Sequence, residues 1–341
     1  MTTIDVHAHV GTPDADRLLT GEAGFAAQLT ADAQALGPAS AAYNREQFAT
    51  LGRRLTALPD RLAAMDAARV DVQAVSATPI ARPWMERPLA DRYIGEVNAA
   101  VVDFCHQAPD RLAPVATVSL HLPDLAVQQL RAAVVDAGAV GVQISTTAAP
   151  GVELDDPSLS EFWETAVALD VPVLIHPWGC SLAARLDVGY MFNHVGNPTE
   201  TSLALSRLIF GGVLDRFPGL RIWAAHAGGW LPSYSGRADH AWHRREDART
   251  CAHPPSWYLR RMWFDALVYT APALRFLVDS VGEDHVTIGT DYPFDMGVDD
   301  PIDRIEAALS DDAVRAAVTS GSAHGLFGSR LTERLAARGI R

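Results

Sequence analysis

The sequence predicts an α/β protein folded as one (β/α)8 TIM barrel with a small insertion after the first strand. Two observations carry that expectation. Eight short apolar runs rich in Val and Ile alternate with longer amphipathic stretches. Such alternation implies a parallel sheet with right-handed crossovers, and eight repeats imply closure into a barrel. The chain is also 341 residues long with 48% hydrophobic and 20% charged residues. That is a globular composition with length enough for a barrel core. No fixed-period repeat and no long Pro/Ser/Gly linker interrupts it, so residues 1–341 read as a single domain.

In chain order, the strand candidates are Ile4–Val6, Val70–Ser76, Leu112–Val118, Val140–Ile144, Val171–Ile175, Leu220–Ala225, Met262–Phe264 and Val286–Ile288. Helical spacing of apolar residues marks Pro88–Ala108, Leu125–Ala137, Leu159–Leu169, Glu200–Asp215 and Ala271–Ser280. Asp156-Pro157 and Asn197-Pro198 are start signals for two of these. Residues 11–60 form the insertion, read as a lid or small subdomain. Residues 227–260, with Trp230, Tyr234, Trp242 and Trp257, form a second long segment after a strand. In a barrel such loops lie at the C-terminal face, where sites are built.

Composition narrows the chemistry. All 28 cationic residues are arginine, against 41 Asp plus Glu, for a formal net charge of −13. Without lysine there is no Schiff base, no phosphate-loop lysine and no carbamylated lysine bridging two metals. The acidic balance argues against nucleic acid. Cys105, Cys180 and Cys251 form no C-x-x-C pair. Neither a disulfide framework nor a zinc knuckle is readable. No signal peptide and no apolar run long enough for a membrane span is present, so a cytoplasmic enzyme is expected.

Metal-type ligands gather at the ends of the apolar runs. His7 and His9 are two apart on the first strand, so both imidazoles face the same side. His176 ends the fifth run, His226 the sixth and Asp291 the eighth, with Asp265 after the seventh. Barrel closure brings the eighth strand beside the first. His7, His9, His176 and Asp291 then make a set of three nitrogens and one oxygen suited to one Zn²⁺, with Mn²⁺ as the alternative. His226 remains as an acid/base beside a metal-bound water. No G-x-S-x-G and no G-x-G-x-x-G motif supports a serine hydrolase or a dinucleotide cofactor.

These residues, with the segments Ile4–His9, Arg61–Pro79, Gly141–Ile144, His176-Pro177-Trp178, Pro198–Leu205, Gly236–Trp242 and Val286–Phe294, resemble the amidohydrolase superfamily. The resemblance is to the branch of 2-amino-3-carboxymuconate-6-semialdehyde decarboxylase and covers nearly the whole chain. It implies a barrel of the metal-dependent hydrolase type. It also implies one metal on His7, His9, His176 and Asp291, with His226 and Asp291 as catalytic residues. Binuclear members commonly place a carbamylated lysine after the fourth strand, where this chain has Gln143.

The resemblance further implies a homodimer in which Arg237 reaches across the interface to a substrate carboxylate, with Trp178 and Tyr190 at the substrate. The competing reading of Arg237 is a surface residue paired with Asp239 or Glu246. The branch has a second substrate arginine in the insertion. Here no arginine falls in its register, leaving Arg45, Arg53 and Arg54 as candidates. The expected activity is a metal-dependent, non-oxidative decarboxylase of a small carboxylated aromatic or muconate-like anion. The alternatives are a hydrolase or hydratase using metal-bound hydroxide, and a silent binding protein.

Overall fold

The structure, a computed structural model, describes residues 2–79, 81–182 and 185–336. Eight strands form one parallel sheet in sequential order: β1 Ile4–Val10, β2 Val72–Ala77, β3 Leu112–Thr117, β4 Gly141–Ile144, β5 Val173–Ile175, β6 Ile222–Ala224, β7 Trp263–Asp265 and β8 Val286–Thr287. The ring closes through parallel bridges from Asp5 to Ile288 and from Ala8 to Tyr292. Each strand falls on a predicted apolar run. The run-on hydrophobic character arises because both faces of the sheet are covered. β1 is longer than expected and carries a register shift between Asp5 and Ala8 against β2. Such a bulge re-aims side chains near a site.

The largest core cluster fills the layer between sheet and helices. Val142, Val173, Ile222 and Phe264 of the strands meet Phe162, Trp163, Leu205 and Leu208 of the helices Ser160–Ala168 and Asn197–Phe210. A fully buried side chain such as Phe162 contributes about 1.5–3 kcal/mol. A second cluster contains Ile4, Val72, Val115, Leu174 and Trp223 from the strands. Leu326, Phe327 and Leu331 of the C-terminal helices pack against it, with Trp223 edge-on to Phe327 at 5.3 Å.

The insertion is helical: a run Ala23–Thr56 broken at Gly37–Pro38, then Leu58–Ala67. The boundary at residue 60 therefore falls inside the second of these helices, because the helix continues into the barrel wall and carries buried Arg61. The break at Gly37 has φ +75°, and a Cβ there would sit 1.8 Å from the Asp187 carbonyl oxygen. Leu36 and Ala41 flank it and pack on Phe192 and Tyr190. Arg82 ties the insertion to the barrel. Its guanidinium lies 5.1 Å from the Phe25 ring and 5.3 Å from the Tyr93 ring, and it donates to the Tyr93 hydroxyl at 3.1 Å. No helix among the described residues is long and apolar enough to cross a membrane.

Candidate active site at the strand C-termini

The barrel brings His7, His9, His176 and Asp291 to one point. Their donor atoms all lie within 4.8 Å of one another, and all four residues are buried. His7 Nε2 is 3.1 Å from His9 Nε2 and 3.0 Å from His176 Nε2. Asp291 Oδ1 is 3.2 Å from His9 Nε2 and 3.5 Å from His7 Nε2. That oxygen is buried without a properly aligned hydrogen bond. Donor separations near 3–3.5 Å are those of a tetrahedron with metal–ligand bonds of about 2.0–2.2 Å.

The tautomers decide what this point can hold. The His176 Nδ1 lies 2.9 Å from the Pro177 carbonyl oxygen, which only accepts, so Nδ1 carries the proton. His7 Nδ1 is 2.7 Å from the Asp265 carboxylate and is protonated for the same reason. Around His9, the Gln143 amide donates to the Ala77 carbonyl at 3.1 Å, turning Oε1 towards Ser76. Ser76 donates to that Oε1 at 2.8 Å, so its oxygen accepts from His9 Nδ1 at 3.0 Å. In the neutral rings all three Nε2 lone pairs then converge beside a carboxylate oxygen. A divalent cation relieves that arrangement, and hydrogen-bonded Nδ1 atoms are what orient metal-binding histidines. The residues present fit one divalent ion.

The titration directions favour the deprotonated ligand at His9, His176 and Asp291, and the opposite at His7. Burial pushes His9 down. Burial, reinforced by the neighbouring His7 and His9, drives His176 well below its usual range. Burial raises Asp291, but the adjacent His226, His9 and His7 rings outweigh this and hold it well below the carboxylate range. Burial also lowers His7, yet the Asp265 bond and the charges of Asp291 and Asp265 reverse the sign and raise it.

His226 stands beside the set, with Nε2 3.5 Å from Asp291 Oδ2 and its ring 5.0 Å from that of His176. Its Nδ1 is buried without a partner. His226, Ala227 and Asp291 all have positive φ, +53°, +55° and +56°. Non-glycine residues adopt this region at a cost, and such strain concentrates at functional sites. Gly228 and Gly229 let the turn press onto its neighbours: a Cβ on Gly229 would lie 2.1 Å from the Pro198 carbonyl oxygen.

Two cavities reach this centre. One, of about 670 Å³, is lined by His176, Gln143, Trp178, Tyr190, Phe294 and Arg54 among others, with the insertion as one wall. The other, of about 630 Å³, is lined by His226 and by apolar groups including Trp230, Leu267 and Phe276. Trp178 and Tyr190 are thus on the cavity wall. Of the three insertion arginines, Arg54 lines the larger cavity. Arg53 points to Asp60, donating at 2.8 Å, and Arg45 is exposed. Arg237 is exposed on the helix Leu231–Arg244 and lines neither cavity. Asp239, one of the two partners in the competing reading of Arg237, accepts from the Ser256 amide at 2.9 Å. His121, which the sequence analysis did not single out, lines the larger cavity and lies 2.9 Å from the Met85 carbonyl oxygen. Ser76 and the inward role of Gln143 went unread because their partners are 67 residues away in sequence.

A profile of the Amidohydrolase family matches residues 4–329. The chain belongs to the amidohydrolase family. Over 235 residues this amidohydrolase is 36% identical to 2-amino-3-carboxymuconate-6-semialdehyde decarboxylase of Dictyostelium discoideum, covering 67% of this chain and 64% of that protein's length. The enzyme of the same name from Caenorhabditis elegans is 28% identical over an alignment that covers 86% of each chain. Gamma-resorcylate decarboxylase of Rhodococcus jostii is 28% identical over 305 residues, covering 81% of this chain and 89% of that one. Among solved structures, 5-carboxyvanillate decarboxylase from Sphingomonas paucimobilis superposes with a TM-score of 0.82 at 24% identity, covering 96% and 98% of the two chains. A dihydroxybenzoic acid decarboxylase from Polaromonas, with bound manganese and the inhibitor 2-nitroresorcinol, superposes at 0.79 and 23% identity, covering 98% and 99%. At those identities the structural likeness speaks to the fold.

Proposed function

We propose that this amidohydrolase is a metal-dependent, non-oxidative decarboxylase of a small carboxylated aromatic or muconate-like anion. The observation that carries it is the convergence of three Nε2 lone pairs and Asp291 Oδ1 on one point, with the His226 ring beside it and a cavity opening onto it. The decarboxylases among its relatives supply the reaction class. His7, His9, His176 and Asp291 would hold the metal, with zinc as the first assignment and manganese as the alternative. When bound, the metal supplies Lewis-acid stabilisation of charge on substrate oxygens.

The chain's own residues do the rest. Arg54 pairs with the anionic substrate, for which the planar guanidinium fork is apt. Trp178 and Tyr190 bound the substrate plane. His226, protonated, gives its proton to the carbon bearing the carboxylate. The bond to that carboxylate then breaks, CO₂ leaves, and the electron pair of the broken bond restores the conjugated system. His226 recovers a proton from solvent through the cavity it lines. The insertion serves as the lid within a single domain spanning residues 1–341.

The same reading includes a homodimer that carries Arg237 to the partner's cavity. It includes a cytoplasmic setting, supported by three unpaired cysteines. The test is product analysis with the metal-loaded protein and candidate aromatic carboxylates. Release of CO₂ is expected, and a product that keeps every carbon and gains water would instead establish a hydrolase or hydratase. His226→Ala is expected to keep its metal and to lose about 10²–10⁴-fold in kcat, the usual worth of a positioned proton donor. Full activity in that variant would remove His226 from the mechanism.

A further inference from the structure

Behind the ligand set lies a carboxylate that touches neither cavity. Asp265, at the end of β7, is completely buried. Its four contacts divide between two jobs. Oδ2 accepts from His7 Nδ1 at 2.7 Å and from the His226 amide at 2.8 Å. Oδ1 accepts from the Ala227 amide at 2.8 Å and the Leu267 amide at 3.2 Å. One carboxylate oxygen therefore grips both a ring of the ligand cluster and the backbone of the residue that presents the acid/base imidazole. The His226-Ala227 pair it grips is the strained one, with both φ values in the left-handed region. Conformations of that kind persist only where the surroundings over-determine them. The packing around the carboxylate points the same way. A Cβ on Gly289 would lie 2.4 Å from Asp265 Cβ and 3.1 Å from His7 Cβ, so the chain just after β8 gives up a side chain where these two residues meet.

We propose that Asp265 is the positioning residue that locks His7 in its Nδ1-protonated tautomer and, through the same oxygen, sets the turn that aims His226. This rests on the metal-site reading above, not on the identity of the substrate. The consequence is a coupling: what disturbs the ligand His7 also disturbs the aim of His226. Asparagine has the same shape but only one accepting oxygen. In Asp265→Asn, either His7 and the His226 amide or the Ala227 and Leu267 amides must face an NH₂ group that cannot accept.

The experiment compares wild-type protein and Asp265→Asn. Zn²⁺ binding is measured by competition with a chromophoric chelator, and ring nitrogens are read by NMR on ¹⁵N-histidine-labelled, zinc-loaded protein. In the variant, Zn²⁺ affinity is expected to fall about 10–100-fold, the usual worth of a residue supporting a metal ligand. At saturating zinc, kcat is expected to drop with KM little changed, which a general loss of folding would not produce. In the wild type, one strongly downfield ring proton is expected on the nitrogen bonded to Asp265, and it should be absent in the variant. Wild-type zinc affinity and an unmoved downfield proton in Asp265→Asn would overturn the proposal. If the variant does not fold, a wild-type spectrum showing His7 protonated on Nε2 would overturn it equally. The zinc and NMR measurements need no substrate, so their outcome is separate from whether CO₂ is released.

Discussion

Arg61 brings a full charge into the wall behind β1, where it is 0% exposed. It donates to Gln73 Oε1 at 2.9 Å and to the carbonyl oxygen of His9. Its guanidinium lies over the rings of Tyr292, at 4.8 Å, and Phe104, at 5.3 Å. Gln73 passes the contact on by donating to Asp5 Oδ2 at 2.8 Å, and Thr290 donates to the same oxygen at 2.6 Å. Burial pushes the guanidinium down to about 10, which leaves it charged at neutral pH. Truncation would leave the His9 carbonyl and the Gln73 amide oxygen unpaired. Arg61→Ala is therefore expected to lower stability by about 3 kcal/mol. Denaturant titration of both proteins measures this, and a loss of a few tenths would show that water replaces the arginine. At this scale the histidine pair was legible, because a two-residue spacing on a strand has one geometric meaning. Asp265 was visible only as a carboxylate at a strand end. Its role depends on a contact with His7, 258 residues away in sequence.

Among the elements, the insertion shows most clearly what a local pattern conveys. Its Ala-rich composition did not say that it forms a helical run from Ala23 to Thr56, nor that this run turns at Gly37. The turn matters because Leu36 and Ala41 on either side of it pack on Phe192 and Tyr190, and Tyr190 lines the larger cavity. The Trp178 indole donates to Asp32 at 3.4 Å on the same run. Gly37→Ala meets both a positive φ and the Asp187 carbonyl oxygen. It is expected to cost about 1–3 kcal/mol and to loosen the insertion from that wall. Steady-state kinetics should then show a raised KM with unchanged metal content. An unchanged KM together with unchanged stability would mean that the insertion does not shape the cavity. The strands, by contrast, were legible in place and order, with ends off by a residue or two except in the longer β1, since a sheet covered on both faces writes itself as apolar runs.

For the whole molecule, the cluster of converging lone pairs links metal to stability. A ligand that binds the folded state alone stabilises it by about 2.7 kcal/mol at a hundredfold excess over its Kd. Chelator-treated protein should unfold several degrees lower than protein with zinc or manganese restored. Identical melting curves would argue against a bound ion at this point. The formal net charge of the chain is −13. For the proposed anionic substrate, Arg54 on the cavity and the bound metal would supply a local reversal of that field. Assembly bears on the same question, because Arg237 lies outside both cavities of its own chain. Mixing Arg237→Ala with His226→Ala protein is expected to restore activity in hybrid dimers. Failure to restore it, with subunit exchange demonstrated, would confine each site to one chain.

The sequence by itself determined the barrel, the order of its strands and the residue types gathered at their ends. Strand periodicity and hydrophobic runs are local properties, and the absence of lysine is a matter of counting. Three things were decided only by tertiary structure: the direction in which each imidazole presents its lone pair, the choice of Arg54 over Arg45 and Arg53 as the arginine on the cavity, and the joining of His7 to His226 through Asp265. Each depends on hydrogen-bond partners or packing contacts that come from distant strands. Such contacts have no period along the chain and exist only once the barrel has closed.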